Sequence, residues 1–165
     1  RLPGVDGADA FTVVEEVKGN ATTEFGAPAI AAAAETGETT AAGARRVATL
    51  LEAAWTVFDD LVASSPATLR KGPRGGGRDR DAMVDHVLGA EHAFASKIGV
   101  RLPQPAHTDS AARDAVRRAI LDVVRADRSG APARTGGWSP RYAARRLAWH
   151  ALDHAWEMQD RSASD

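Results

Sequence analysis

Three of the five histidines have the spacing and neighbours to hold a metal ion. The stretch Ala148-Trp-His-Ala-Leu-Asp-His-Ala-Trp-Glu157 puts His150 and His154 four residues apart. On a helix that spacing sets both imidazoles on one face, about 6 Å apart along the axis. Two such groups can bind one ion at about 2.0–2.1 Å each. Both fall within the apolar stripe Ala143, Leu147, Ala151 and Met158, so they should point inward. Inward imidazoles resist protonation and need partners, and a shared metal would supply one. His86 lies beside Met83, Val87 and Ala90, at the edge of a second inward stripe. Three histidines and one open position form a recognised catalytic metal arrangement. The plainer alternative is that His150 and His154 are ordinary partly buried histidines or one solvated pair, and that His86 is a core or boundary histidine bonded to a backbone carbonyl. A zinc-protease helix would carry Glu directly after the first histidine, where this chain has Ala151.

Other chemistry-bearing residues have two readings each. His92 is rotated away from the His86 face, and His107 sits in a proline-rich loop; neither is expected at the site. Asp153 and Glu157 are either acceptors behind the metal ligands, a fourth ligand, or solvated charges. The loop Arg70-Lys-Gly-Pro-Arg-Gly-Gly-Gly-Arg-Asp79 feeds the helix that bears His86. Its Arg74 and Arg78 could orient a substrate carboxylate, or the loop is simply solvated. It lacks the phosphate-loop spacing and interleaved aromatics, so neither nucleotide hydrolysis nor RNA binding is supported. Trp149 and Trp156 are seven apart and share a face. They serve core packing, a substrate wall or a homodimer contact.

The elements that must position these residues are helical. Val47, Leu50, Leu51, Ala54, Phe58, Leu61 and Val62 form the stripe of a first long helix, from Ala44 to about Ser65, where Pro66 ends it. A second runs from about Arg80 to Ile98, capped by Asp79 or Asp81, with Met83, Val87, Ala90, Phe94 and Ile98 inside. Thr108 or Asp109 starts a third, burying Ala112, Val116, Ala119, Ile120 and Val123. Ser139 and Pro140 start a fourth, which continues to about Gln159. The fold class is therefore all-α, a four-helix bundle over 44–165. Residues 1–43 form a separate arm: β-branched Phe11–Val17 and the return Ala21–Phe25 predict a short hairpin, and the Ala- and Gly-rich 26–43 a linker or overlying arm.

Bulk properties exclude several classes. The chain has 165 residues and a net charge of −1, so no bulk field draws it to nucleic acid or anionic lipid. No apolar run approaches the roughly 18–20 residues of a membrane span. Cysteine is absent, which removes disulfides, zinc–thiolate sites and a cysteine nucleophile. With no basic-then-apolar leader at its start, the expectation is a cytoplasmic protein.

Val84-Asp-His-Val-Leu-Gly-Ala-Glu91, followed much later by His150-Ala-Leu-Asp-His154, resembles the DinB/YfiT-like metalloenzyme superfamily. The likeness covers roughly residues 44–161. It implies an up-down-down-up bundle and carries the family's metal ligands onto His86, His150 and His154. It further implies a zinc or nickel ion. Characterised members use mycothiol or bacillithiol in thiol transfer or in isomerising maleylpyruvate. The hairpin-like arm departs from the family pattern.

Together these readings set two expectations. One is an enzyme: the ion accepts a small thiol or water, lowers its pKa and presents it for thiol transfer or thiol-assisted isomerisation of a small molecule. With no cysteine in the chain, the thiol must come from outside. The other is a non-enzymatic binding or dimerisation module whose metal is structural or absent.

Overall fold

The computed structural model describes residues 12–24, 26–72 and 75–162. Two single helical turns, α1 (Ala21–Glu24) and α2 (Ala33–Thr36), precede four long helices. These are α3 (Ala41–Ser64), α4 (Arg80–Lys97), α5 (Ser110–Ala126) and α6 (Pro140–Ser162).

Local chemistry sets the ends. Thr40 accepts from the Gly43 amide at 3.0 Å and opens α3, and Pro66 stops it one residue past the Ser65 cap. Asp109 caps α5 through the Ala112 amide at 2.9 Å. Ser139 accepts from the Tyr142 amide at 3.2 Å, and Pro140 takes the first position of α6, where its missing N–H costs nothing. Asp79 stands at the cap position of α4 but does not cap it. Its carboxylate accepts instead from the Leu69 amide and Lys71 Nζ, at 3.1 and 2.8 Å. Asp81 is bonded to Arg80 rather than to the helix amides.

Cross-links between helices give their directions. Ser65 and Ser162 meet at 3.2 Å, end to end, so α3 and α6 run parallel. Arg117 reaches Asp59 and Arg125 reaches Glu52, so α5 runs against α3. The Trp138 amide, just before α6, donates to the Lys97 carbonyl at the end of α4 at 3.0 Å, so α4 runs against α6. The bundle is up-down-down-up. Parallel α4 and α5 need a crossover running the length of the bundle. Twelve residues, 98–109, span up to about 40 Å when extended, against about 27 Å for an 18-residue helix. Pro103 and Pro105 hold this strap open. His107 Nδ1 reaches Asp85 Oδ1, back near the start of α4, at 2.9 Å. The core lies between the four long helices and centres on Leu51, Phe58, Met83, Val87, Ile120, Val124, Leu147 and Met158.

The predicted N-terminal hairpin is not formed. Among the described residues there is no strand: 12–20 is irregular, and Ala21–Glu24 is a helical turn. Phe11 and Phe25, which bound the expected strands, lie outside the described residues. The cause is Asn20. Its side chain accepts from the amides of Thr22 and Thr23, at 2.9 and 3.2 Å, which caps a helix instead of turning a hairpin. Val13, Val14 and Val17 are exposed with no partner strand to cover them. The segment beyond lies on α6. Tyr142 Oη donates to Ala29 O at 2.8 Å, Arg145 to Ile30 O at 2.8 Å and Ser139 Oγ to Glu35 O at 2.7 Å. Arg145 also pairs with the Glu35 carboxylate. Most of the predicted core positions are buried or half-buried, with one clear exception on α3: Leu50 is 50% exposed.

Candidate metal centre

The antiparallel pairing of α4 and α6 sets His86 opposite the His150/His154 face. The three ring centroids are 5.1 Å (His86–His150), 4.8 Å (His86–His154) and 4.6 Å (His150–His154) apart. One nitrogen from each ring lies within 4.8 Å of the other two. Nitrogens on a single zinc-sized ion are at most about 4.2 Å apart, twice the bond length, so small ring rotations close the set. His154 is buried, and His86 and His150 are half-buried.

Proton chemistry suits a cation here. Burial first, then the neighbouring His154 and His86 and the positive Arg146 and Arg78, push His150 down to about 3. Burial, Arg78 and His154 also lower His86, against a weaker pull from Glu157. These two rings therefore offer lone pairs rather than N–H⁺ groups near neutrality. Glu157 fixes the third ring: its Oε2 is 2.9 Å from His154 Nδ1. Burial raises the Glu157 carboxyl, but hydrogen bonds from His154 and Arg161 outweigh that and hold it below its usual range. An ionised carboxylate only accepts, so Nδ1 carries the proton and Nε2 is left as the donor atom. Two imidazoles held neutral and a third oriented by a carboxylate fit a divalent metal ion.

Arg161 continues the chain of contacts. It holds Glu157 Oε1 at 2.8 Å and donates to the carbonyls of Arg70 and Arg78, both at 2.7 Å. The glycine-rich loop is thus bound to the last turns of α6. Gly77 is required there: its φ is +121°, and a Cβ would come within 2.6–2.7 Å of the Arg161 guanidinium.

The other sequence-predicted residues fall as follows. Asp153 is exposed and stands apart from the three rings, and Trp156 is 57% exposed. Arg78 is exposed and acts on His86 and His150 through its charge, while Arg74 lies outside the described residues. His107 is bonded to Asp85, and neither it nor His92 joins the group. Sequence reasoning missed Arg161 and Arg146. Arg146, one turn before His150, lies over the rings of Phe94, Trp138 and Trp149 at 5.3–5.7 Å. It brings a second positive charge beside the site. The signal for Arg161 was its position four residues after Glu157, itself three after His154.

No family model, curated protein or solved structure matches this chain.

Proposed function

We propose that this chain is a metal-dependent enzyme of the DinB type, acting on a small anionic molecule with an external thiol or with water. The observation that supports this reading is the convergence of His86, His150 and His154, with His154 turned by Glu157. Their chemistry favours zinc or nickel over the oxygen-loving magnesium or calcium. A divalent ion held by His86, His150 and His154 would supply Lewis acidity, lowering the pKa of a thiol or water bound to it. The chain's own residues do the rest. Glu157 keeps the proton on His154 Nδ1 and so keeps Nε2 free, while Arg161 keeps Glu157 in place. Arg78 and Arg146 make the surroundings positive, which favours a carboxylate-bearing substrate. The thiol is a low-molecular-weight cofactor such as mycothiol, and the reaction is thiol transfer or thiol-assisted isomerisation. Such chemistry belongs to the cytoplasm and needs neither nucleic acid nor membrane; no helix is long and apolar enough to cross one among the described residues.

The test is metal stoichiometry in five single variants after tag-free purification. His86→Ala, His150→Ala and His154→Ala are each expected to lose most of the bound ion, because two imidazoles rarely hold it against water. His92→Ala and His107→Ala are expected to retain it. Equal retention in all five rules the centre out.

A further inference from the structure

α3 and α6 share an outward face that carries large exposed apolar side chains, bordered at one end by Glu35 and Thr39 of the preceding segment. On α3, Arg46, Leu50, Ala53, Val57 and Asp60 are all exposed, and their 4–3–4–3 spacing puts them in one line. On α6, Trp149, Leu152 and Trp156 repeat the pattern, half-buried at first and 57% exposed at Trp156. Leu50 and Val57 are 50% and 42% exposed. Large apolar residues at heptad spacing on two neighbouring helices form a seam, not scattered exposure. Charge marks its ends: Arg46 at one, Asp60 and Asp160 at the other. Arg46 has no ion-pair partner among the described residues, nor do these two carboxylates. Between Leu50 and Trp149, beside Arg46, a cleft of about 550 Å³ opens over Val47, Leu51, Ala144 and Ala148.

We infer that this face binds a second copy of the same chain, with α3 against α3 and α6 against α6, each pair antiparallel. Charge decides the direction. A two-fold axis along the helices would set Asp60 against Asp160 of the partner subunit, like against like. An axis across them sets each Arg46 against the partner's Asp60, and each Trp156 against the partner's Trp149. The register allows one axis for both helices. The Ser65–Ser162 contact sets heights on α3 and α6, and the Leu50–Val57 and Trp149–Trp156 midpoints then lie within about 3 Å of each other. The cleft beside Trp149 has room for the incoming indole. The interface is isologous and closes at two copies.

Sedimentation equilibrium of the full chain across a wide concentration range tests this. The native chain is expected to form a dimer. Leu50→Glu with Trp156→Glu is expected to leave a monomer with unchanged helical dichroism, since both side chains are exposed. Arg46→Asp and Asp60→Arg singly are each expected to weaken the dimer about tenfold. The double variant R46D/D60R is expected to recover it, because the pair is restored with its charges exchanged. A native chain that stays monomeric at every concentration overturns the inference. So does a dimer indifferent to the glutamates, or a double variant no tighter than the singles.

Discussion

The proton affinity of the clustered imidazoles has a thermodynamic consequence separate from any metal. His150 is held near 3 against an ordinary 6.5, mainly by burial and then by His154 and His86. His86 is lowered in the same direction. In the unfolded chain both regain ordinary affinity, so between 6.5 and the folded value the unfolded state binds more protons. Their contribution to stability is therefore complete above about 6.5 and is lost as pH falls through that window. With a chelator present, the unfolding free energy of the native protein should fall as pH drops from 6.5 toward 3. His150→Ala should fall less steeply, because it carries one imidazole fewer to protonate. Urea titrations of both at a series of pH values measure the difference; equal slopes would mean that His150 is solvated and titrates normally. The histidines were legible in the sequence because a four-residue repeat fixes a face whatever surrounds it. The choice between Asp153 and Glu157 was not. Both flank His154, and only the side-chain directions on the formed helix separate the exposed one from the one bonded to Nδ1.

Helices were legible by period, but not always by face. On α3 the observed buried line is Ala44, Ala48, Leu51, Trp55 and Phe58, while sequence reasoning placed Leu50 inside and left Trp55 out. The helix is apolar on two faces, so the 3.6 period alone cannot choose between them. A second feature was hidden because its members are charged. Glu91 lies in line with Val84, Leu88 and Ala95, and Arg117 with Leu121 and Val124. Arg117 Nε and Nη2 bond both oxygens of buried Glu91, at 3.2 and 3.0 Å, while Nη1 takes Asp59 at 2.7 Å. The guanidinium also covers the Trp55 ring at 4.9 Å. Three helices are thereby tied at one point. Burial pushes the Glu91 carboxyl up; Arg117 opposes it and itself stays charged. A buried pair adds little over an apolar one, but breaking it strands a charge at a cost of about 3–5 kcal/mol. Arg117→Met should lose about that much in chemical denaturation. Glu91→Leu with Arg117→Met should regain most of it. A double variant as unstable as the single would mean that the loss comes from the Trp55 packing and not from the stranded carboxylate.

Across the whole molecule, the bundle and the segment before it are joined differently from the helices among themselves. Residues 29–37 lie on the first turns of α6 through side chains that bond backbone carbonyls: Tyr142 to Ala29, Arg145 to Ile30, Arg141 to Ala34 and Gly37. No large apolar side chain of this segment belongs to the core. Sequence reasoning saw β propensity at 11–17 and an Ala-rich tract after it. It could not see these contacts, because their acceptors are main-chain atoms that any residue carries. The closest approach is at Gly130, in the loop before α6. Its φ is +67°, and a Cβ would lie 2.3 Å from Gly37 O and 2.6 Å from the Thr36 carbonyl carbon. Both are backbone atoms and cannot swing aside. Gly130→Ala must therefore move the 36–37 backbone as well as accept a left-handed conformation that costs about 1–2 kcal/mol. The histidines draw on α4 and on the later turns of α6, away from this junction. Amide exchange is expected to accelerate from Ala29 to Thr39 in Gly130→Ala, while the amides of α4 and of 150–158 keep their native protection. Metal retention should equal that of the native chain. If protection and metal are lost together, the segment and the bundle unfold as one unit, and the histidine site depends on both.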